Sequence, residues 1–185
     1  MKRPACTRLA CTIFTLAALA GCAGSQESGG TTDGAAAIPP AATTLRDAAG
    51  TVKAQASVAD VNGGVRVSID AVAMAPGAYG AHIHTVGRCD PPDFASAGPH
   101  WNPTSRQHGK DNPQGTHKGD LPNLLVGADG RGSASFTIDA VSLRGGAAPV
   151  LDSDGASVMI HAAPDDYRTD PSGNSGARIA CGVLG

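Results

Sequence analysis

Val52-Lys53-Ala54-Gln55-Ala56-Ser57-Val58, then Asn62-Gly63-Gly64, then Val65-Arg66-Val67-Ser68-Ile69-Asp70, is the stretch that decides the fold. Val52, Ala54, Ala56 and Val58 alternate with Lys53, Gln55 and Ser57, and Val65, Val67 and Ile69 alternate with Arg66, Ser68 and Asp70. Side chains of a strand point to opposite faces in turn, so this is a β-hairpin with one face buried and one wet. Working outward, Pro76-Gly77 marks a turn and Ala78 to His84 can form a third strand. Leu121 to Val126 is a further short strand, and in Ser133 to Asp139 the residues Ala134, Phe136 and Ile138 share one face. Ser157 to His161 and Ile179 to Leu184 supply the last two. Few segments hold a helical apolar period. The expectation is an all-β Greek-key sandwich or flattened barrel of about eight antiparallel strands.

A chain of 185 residues suits one domain plus a leader. Its net charge of -2 comes without any long basic block, which argues against nucleic acid as a partner. Lys2, Arg3 and Arg8 precede the apolar run Leu9 to Ala20, which is too short to span a bilayer as a helix. Leu19-Ala20-Gly21-Cys22 resembles the lipobox of bacterial lipoproteins, so residues 1–21 read as a signal peptide and Cys22 as the acylated residue. The alternative is an ordinary export signal cut near Ala20. Residues 22–42, rich in Gly, Ala, Ser, Thr and Pro, read as a flexible tether, and 43–185 as the folded domain. Removal of the leader takes Cys6 and Cys11 and leaves Cys22, Cys89 and Cys181, an odd number for an exported chain. The expected location is periplasmic, held at a membrane only through the lipid on Cys22. Ala23, rather than Asp, after that cysteine points to the outer membrane.

Five of the six histidines lie between His82 and Asp120. His82 and His84 stand two apart on an expected strand, so both rings leave one face. Alone, that pair reads as well as two solvent-facing histidines. His100, His108, His117 and Asp120 offer three imidazoles and one carboxylate, a closed four-coordinate set suited to zinc. The sixth histidine, His161, ends the strand Ser157 to His161. With His82 and His84 it makes an imidazole-rich set without a carboxylate, which suits copper. Two connections, 85–119 and 162–177, are too long for turns, and each begins just after a histidine-bearing strand. Long structureless loops in compact domains are usually functional.

The order of these motifs resembles the copper/zinc superoxide dismutase family in its bacterial exported form. His-x-His is followed by Gly98-Pro99-His100, by His108 and His117-x-x-Asp120, by the late His161, and by Gly173-Asn174-Ser175-Gly176-Ala177-Arg178-Ile179-Ala180-Cys181-Gly182. The resemblance implies that His82, His84, His100 and His161 bind copper and that His100, His108, His117 and Asp120 bind zinc, His100 bridging both ions. It implies that Asp165 hydrogen-bonds a ligand of each metal, that Arg178 receives the anion beside copper, and that Cys89 pairs with Cys181, leaving Cys22 for the lipid. The implied activity is dismutation of superoxide to dioxygen and hydrogen peroxide, with copper cycling and zinc structural. Bacterial relatives occur as monomers and as dimers, so a homodimer stays open.

The chain departs from the family before His82, where Tyr79 and Ala81 replace the usual histidine and phenylalanine. The expectation is looser packing beneath copper. Residues 165–177 carry only Arg168 in place of guiding lysines, with Lys110 and Lys118 as other sources of positive charge. Trp101 and Phe94 read as loop packing. Two other functions fit the histidines: a lipoprotein that buffers copper and zinc without turnover, and a sandwich whose loop is stapled by zinc alone.

Overall fold

The computed structural model describes residues 39–185. The leader, Cys22 and most of the tether lie outside the described residues. Nine strands follow: β1 Ala41–Arg46, β2 Val52–Val61, β3 Gly64–Ala71, β4 Gly77–Tyr79, β5 Ala81–His84, β6 Leu124–Val126, β7 Gly132–Asp139, β8 Ala156–His161 and β9 Arg178–Leu184. One turn of 3-10 helix, Ala95–Ala97, is the only helical element among the described residues. The long sheet has the order β5-β8-β9-β1-β2-β3-β7, and β4 pairs with β6 in a second. All pairings are antiparallel. The sheet curls into a half-barrel whose circuit is completed by chain continuity. β7 is reached from β6 through the turn closed by Gly127 N–H donating to Arg131 O, and β4 runs across Gly80 into β5.

The β2–β3 hairpin pairs Val58 with Val67 and Ala56 with Ile69, all four buried, and turns at Asn62-Gly63. Gly63 sits at φ +86°, where a glycine carries no steric penalty. β1 was not legible: Ala41-Ala42-Thr43-Thr44-Leu45-Arg46 has no apolar alternation, and only Ala41 and Leu45 are buried. It forms because β2 and β9 flank it on both sides. It begins at Ala41, two residues ahead of the sequence-based domain boundary at 43. The expected single strand from Ala78 to His84 is two strands in different sheets. They part at Gly80, whose N–H donates to Ala163 O while its carbonyl accepts from His161 N–H. The described helical turn is far too short to cross a membrane.

Val58, Val65, Val67, Ile69, Ile83, Leu124, Val158 and Ile160 are among the residues that fill one core between the curled faces. At 20–30 cal/mol per Å² of apolar surface, each such side chain contributes about 1.5–3 kcal/mol. β5 and β8 are buried at every position. Ala81, Ile83, Val158 and Ile160 face the core, while His82, His84, Ser157, Met159 and His161 face outward beneath the two long loops. The first loop covers the free edge of β5 by pairing with it. Trp101 N–H donates to Ile83 O at 2.7 Å, and Ile83 N–H donates to Gly119 O at 2.9 Å. Trp101 and Phe94 pack as expected, at 6% and 3% exposure. Ala81 is fully buried opposite Ile160.

Candidate metal centre

Strand geometry places the first rings. His82 and His84 leave the outer face of β5, and His161 leaves the end of β8, in the pair of strands that are hydrogen-bonded neighbours. The returning loop adds His100, which bridges to His84, and Asp120, which bridges to His82. One donor atom from each of His82, His84, His100 and His161 falls within 4.8 Å of the others. His161, remote in sequence, thus sits with the early pair.

Each ring of this group is held by its far nitrogen. His82 Nε2 lies 2.8 Å from Asp165 Oδ2, His84 Nδ1 2.8 Å from Gly98 O, and His161 Nδ1 3.1 Å from Gly176 O. The opposite nitrogens, His82 Nδ1, His84 Nε2 and His161 Nε2, are buried with no hydrogen-bond partner in the protein. Leaving a buried polar atom unpaired costs about 1–3 kcal/mol. Three such atoms converging on one point fit a borderline transition-metal ion such as copper that accepts imidazole lone pairs. Burial, above all, keeps these rings neutral and ready to ligate: His82 is lowered to about 3, His84 to about 2 and His161 to about 4.

The second group closes on one oxygen. Asp120 Oδ1 lies 2.9 Å from His100 Nδ1, 3.0 Å from His108 Nδ1 and 3.0 Å from His117 Nδ1. His108 Nδ1 is off the line of a hydrogen bond and counts among the unpaired buried atoms. Asp120 Oδ2 is turned away to accept from Gly109 N–H, Thr116 Oγ1 and His117 N–H at 3.0, 2.8 and 3.0 Å. Three imidazoles and a carboxylate converging in this way suit tetrahedral zinc. A donor of His82 also falls near His100, His108 and Asp120. However, its ring is anchored to Asp165 at Nε2 and points Nδ1 at the first group, so His117 completes the second set.

Asp165 joins the two groups, with Oδ2 on His82 Nε2 and Oδ1 on His108 Nε2 at 2.9 Å. Although burial alone would raise it, its partners His108 and His82 hold the carboxyl below the usual range. Burial alone would lower His108 too, but Asp120 and Asp165 together raise it to about 9.

Arg178 lies opposite His161 in the β8–β9 register. Its Nη1 donates to Phe94 O at 2.7 Å and its Nη2 to Gly98 O at 2.8 Å. The Gly98 carbonyl therefore holds both this guanidinium and the His84 ring. Cys89 and Cys181 form a disulfide with Cα atoms 5.7 Å apart, fixing the loop that carries Phe94 and Gly98. Lys110 pairs with Asp111 at 3.0 Å and lies over the Tyr167 ring, and Lys118 donates to Asp139 O. Neither lysine lines a cleft beside Arg178.

Sequence reasoning missed the groups that orient the ligands through backbone atoms. Gly98 and Gly176 do so by their carbonyls, and Asn123 clamps Asp165 twice, accepting its N–H at 2.8 Å and donating to its carbonyl at 3.0 Å. Asn123 follows Asp120 by three residues, but no periodicity distinguishes it from a loop asparagine.

The family model described as copper/zinc superoxide dismutase matches residues 48–184. The superoxide dismutase-like protein YojM of Bacillus subtilis is 50% identical over 123 residues, which span 65% of this chain and 63% of that protein. Superoxide dismutase (Cu-Zn) 1 of Aquifex aeolicus is 42% identical over 132 residues, covering 70% of this chain and 78% of that protein. Among solved structures, a double mutant of a superoxide dismutase-like protein from Bacillus subtilis aligns with a TM-score of 0.74 at 44% identity, over 77% of this chain and 95% of the other.

Proposed function

The chain belongs to the copper/zinc superoxide dismutase family, and from that premise we propose that it converts superoxide to dioxygen and hydrogen peroxide. His82, His84, His100 and His161 would hold copper. His100, His108, His117 and Asp120 would hold zinc, with His100 common to both sets. Copper would supply a one-electron redox couple for superoxide, and zinc a structural charge. Arg178 binds the anion: two of its five N–H groups are spent on Phe94 O and Gly98 O, and the others remain for charge-assisted hydrogen bonds to superoxide. Asp120 holds His100 by Nδ1, which leaves Nε2 facing the first group, where it would either ligate copper or, when not ligating, carry a proton. Asp165 fixes His82 and His108 so that neither ring turns during turnover.

The observation that carries this reading is the convergence of His82 Nδ1, His84 Nε2 and His161 Nε2, each buried and unpaired. The test is metal quantification beside superoxide turnover on the purified domain. Copper and zinc at one each per chain, with turnover, is the expected result. Absence of copper after loading, or an unchanged copper spectrum in His161→Ala, would overturn it. A second reading, a copper and zinc holder without turnover, draws on the relatives named dismutase-like. Arg178→Glu separates the two, since a buffer has no use for the guanidinium.

The same reading puts the chain in the periplasm, held at the outer membrane through acylated Cys22. The Cys89–Cys181 disulfide supports an oxidising compartment. Fractionation of a Cys22→Ser variant checks the anchor: release from the membrane supports it, and retention refutes it. Gel filtration of the soluble domain decides between monomer and homodimer.

A further inference from the structure

A cleft of about 530 Å³ lies beside the copper-type group, lined by Pro92, Asp93, Ala95, Gly176, Ala177 and Arg178. Gly176 and Arg178 connect it to the rings, through the Gly176 carbonyl on His161 and the Gly98 carbonyl shared by Arg178 and His84. Only two of the six lining residues are charged, Asp93 and Arg178, and their formal charges cancel. Lys110 and Lys118 are engaged elsewhere, so nothing in the lining restores a positive balance.

Asp93 is held in place. It follows Cys89 by four residues, and Cys89 is bonded to Cys181. Pro91 and Pro92 stiffen the link between them. Phe94, the next residue, is 3% exposed and gives its carbonyl to Arg178. Asp93 Oδ1 accepts from Ala95 N–H at 3.0 Å, fixing the carboxylate on an exposed residue. Among the described residues it makes no ion pair within 4.0 Å. Burial lowers Arg178 from its ordinary value, and the field of Asp93 acts against that.

We propose that Asp93 tunes anion access to this site: its carboxylate offsets part of the pull of Arg178 on approaching anions and so slows the entry of superoxide. The inference rests on the superoxide reading of the site. A negative charge at the mouth reduces the local concentration of an anion, and the effect is screened by salt. Removing one charge at a cleft of this size should change anion association roughly two- to fivefold at low ionic strength.

The experiment compares wild type, Asp93→Asn and Asp93→Lys, each loaded with copper and zinc. Two readouts are taken from 10 to 500 mM salt: kcat/KM for superoxide, and azide affinity from the copper absorption band. The expected result is a roughly two- to fivefold rise in both for Asp93→Asn, a larger rise for Asp93→Lys, and convergence of all three at high salt. Equal values for the three proteins at low salt would overturn the proposal. So would a change that persists unaltered in high salt, which would mark a structural effect. Wild type that binds azide but does not turn superoxide over would refute the dismutase reading, while the azide series would still decide the role of Asp93.

Discussion

At the scale of single residues, the site depends on a few side chains that hold others in place. Asp165 touches one ring from each group, so Asp165→Asn should weaken retention of both metals by roughly 10- to 100-fold, read by competition with a chelator. Loss confined to one metal would mean that the two subsites are oriented independently. If Arg178 receives the anion as proposed, Arg178→Glu should cut superoxide turnover at least tenfold with metal content unchanged, because that charge is reversed. Gly173 is less visible from sequence. A Cβ there would lie 1.9 Å from Asp165 Oδ1 and 2.6 Å from His108 Nε2, on a backbone at φ +62°. Gly173→Ala should therefore destabilise the protein by roughly 1–3 kcal/mol and loosen zinc, measured by thermal melting and metal analysis.

At the scale of elements, the decisive pair is β5 and β8, buried on both faces because the long loops fold back over the histidines. The disulfide anchors the first of those loops. It closes a span of 92 residues, for which the chain-entropy model gives about 4–5 kcal/mol. Cys89→Ser with Cys181→Ser should lose most of that stability, seen in denaturant melts, and should lower turnover further by freeing the Phe94 carbonyl from Arg178. The strand period made His82 and His84 legible as a pair, and the late strand made His161 a candidate partner, because both rest on the local two-residue repeat. The β2–β3 hairpin was legible for the same reason. β1 and the break at Gly80 were not. β1 is specified by neighbours on both sides rather than by its own pattern, and Gly80 is fixed by contacts to Ala163 and His161, more than eighty residues away. The carbonyls of Gly98 and Gly176 were hidden because every residue has one, and only the fold selects which are used.

For the whole molecule, the metal-free protein carries a definite pH signature. Neutral rings are the folded form of His82, His84 and His161, whereas an unfolded chain takes up those protons near 6.5. Stability is therefore present above about 6.5 and is lost as pH falls from there towards 4 and below. His108 acts in the opposite sense: raised to about 9, it stabilises the fold below 6.5, and that contribution fades as pH rises through 9. Melts in excess chelator should peak just above neutral or slightly below it, and fall by on the order of 10 °C by pH 4.5. A flat profile would mean that the rings are solvated without metal. Because His108 carries its proton between two carboxylates, zinc must displace it, and uptake below pH 9 should release acid measurable in weakly buffered solution.

The register of β1 against β9 sets where the molecule can be gripped. Arg46 pairs with Cys181, so Ala41 and Arg178 lie eight residues apart along the barrel, roughly 25 Å, at opposite poles. A support fixed rigidly at Ala41 itself would therefore leave the Arg178 end of the sheet pointing away from it.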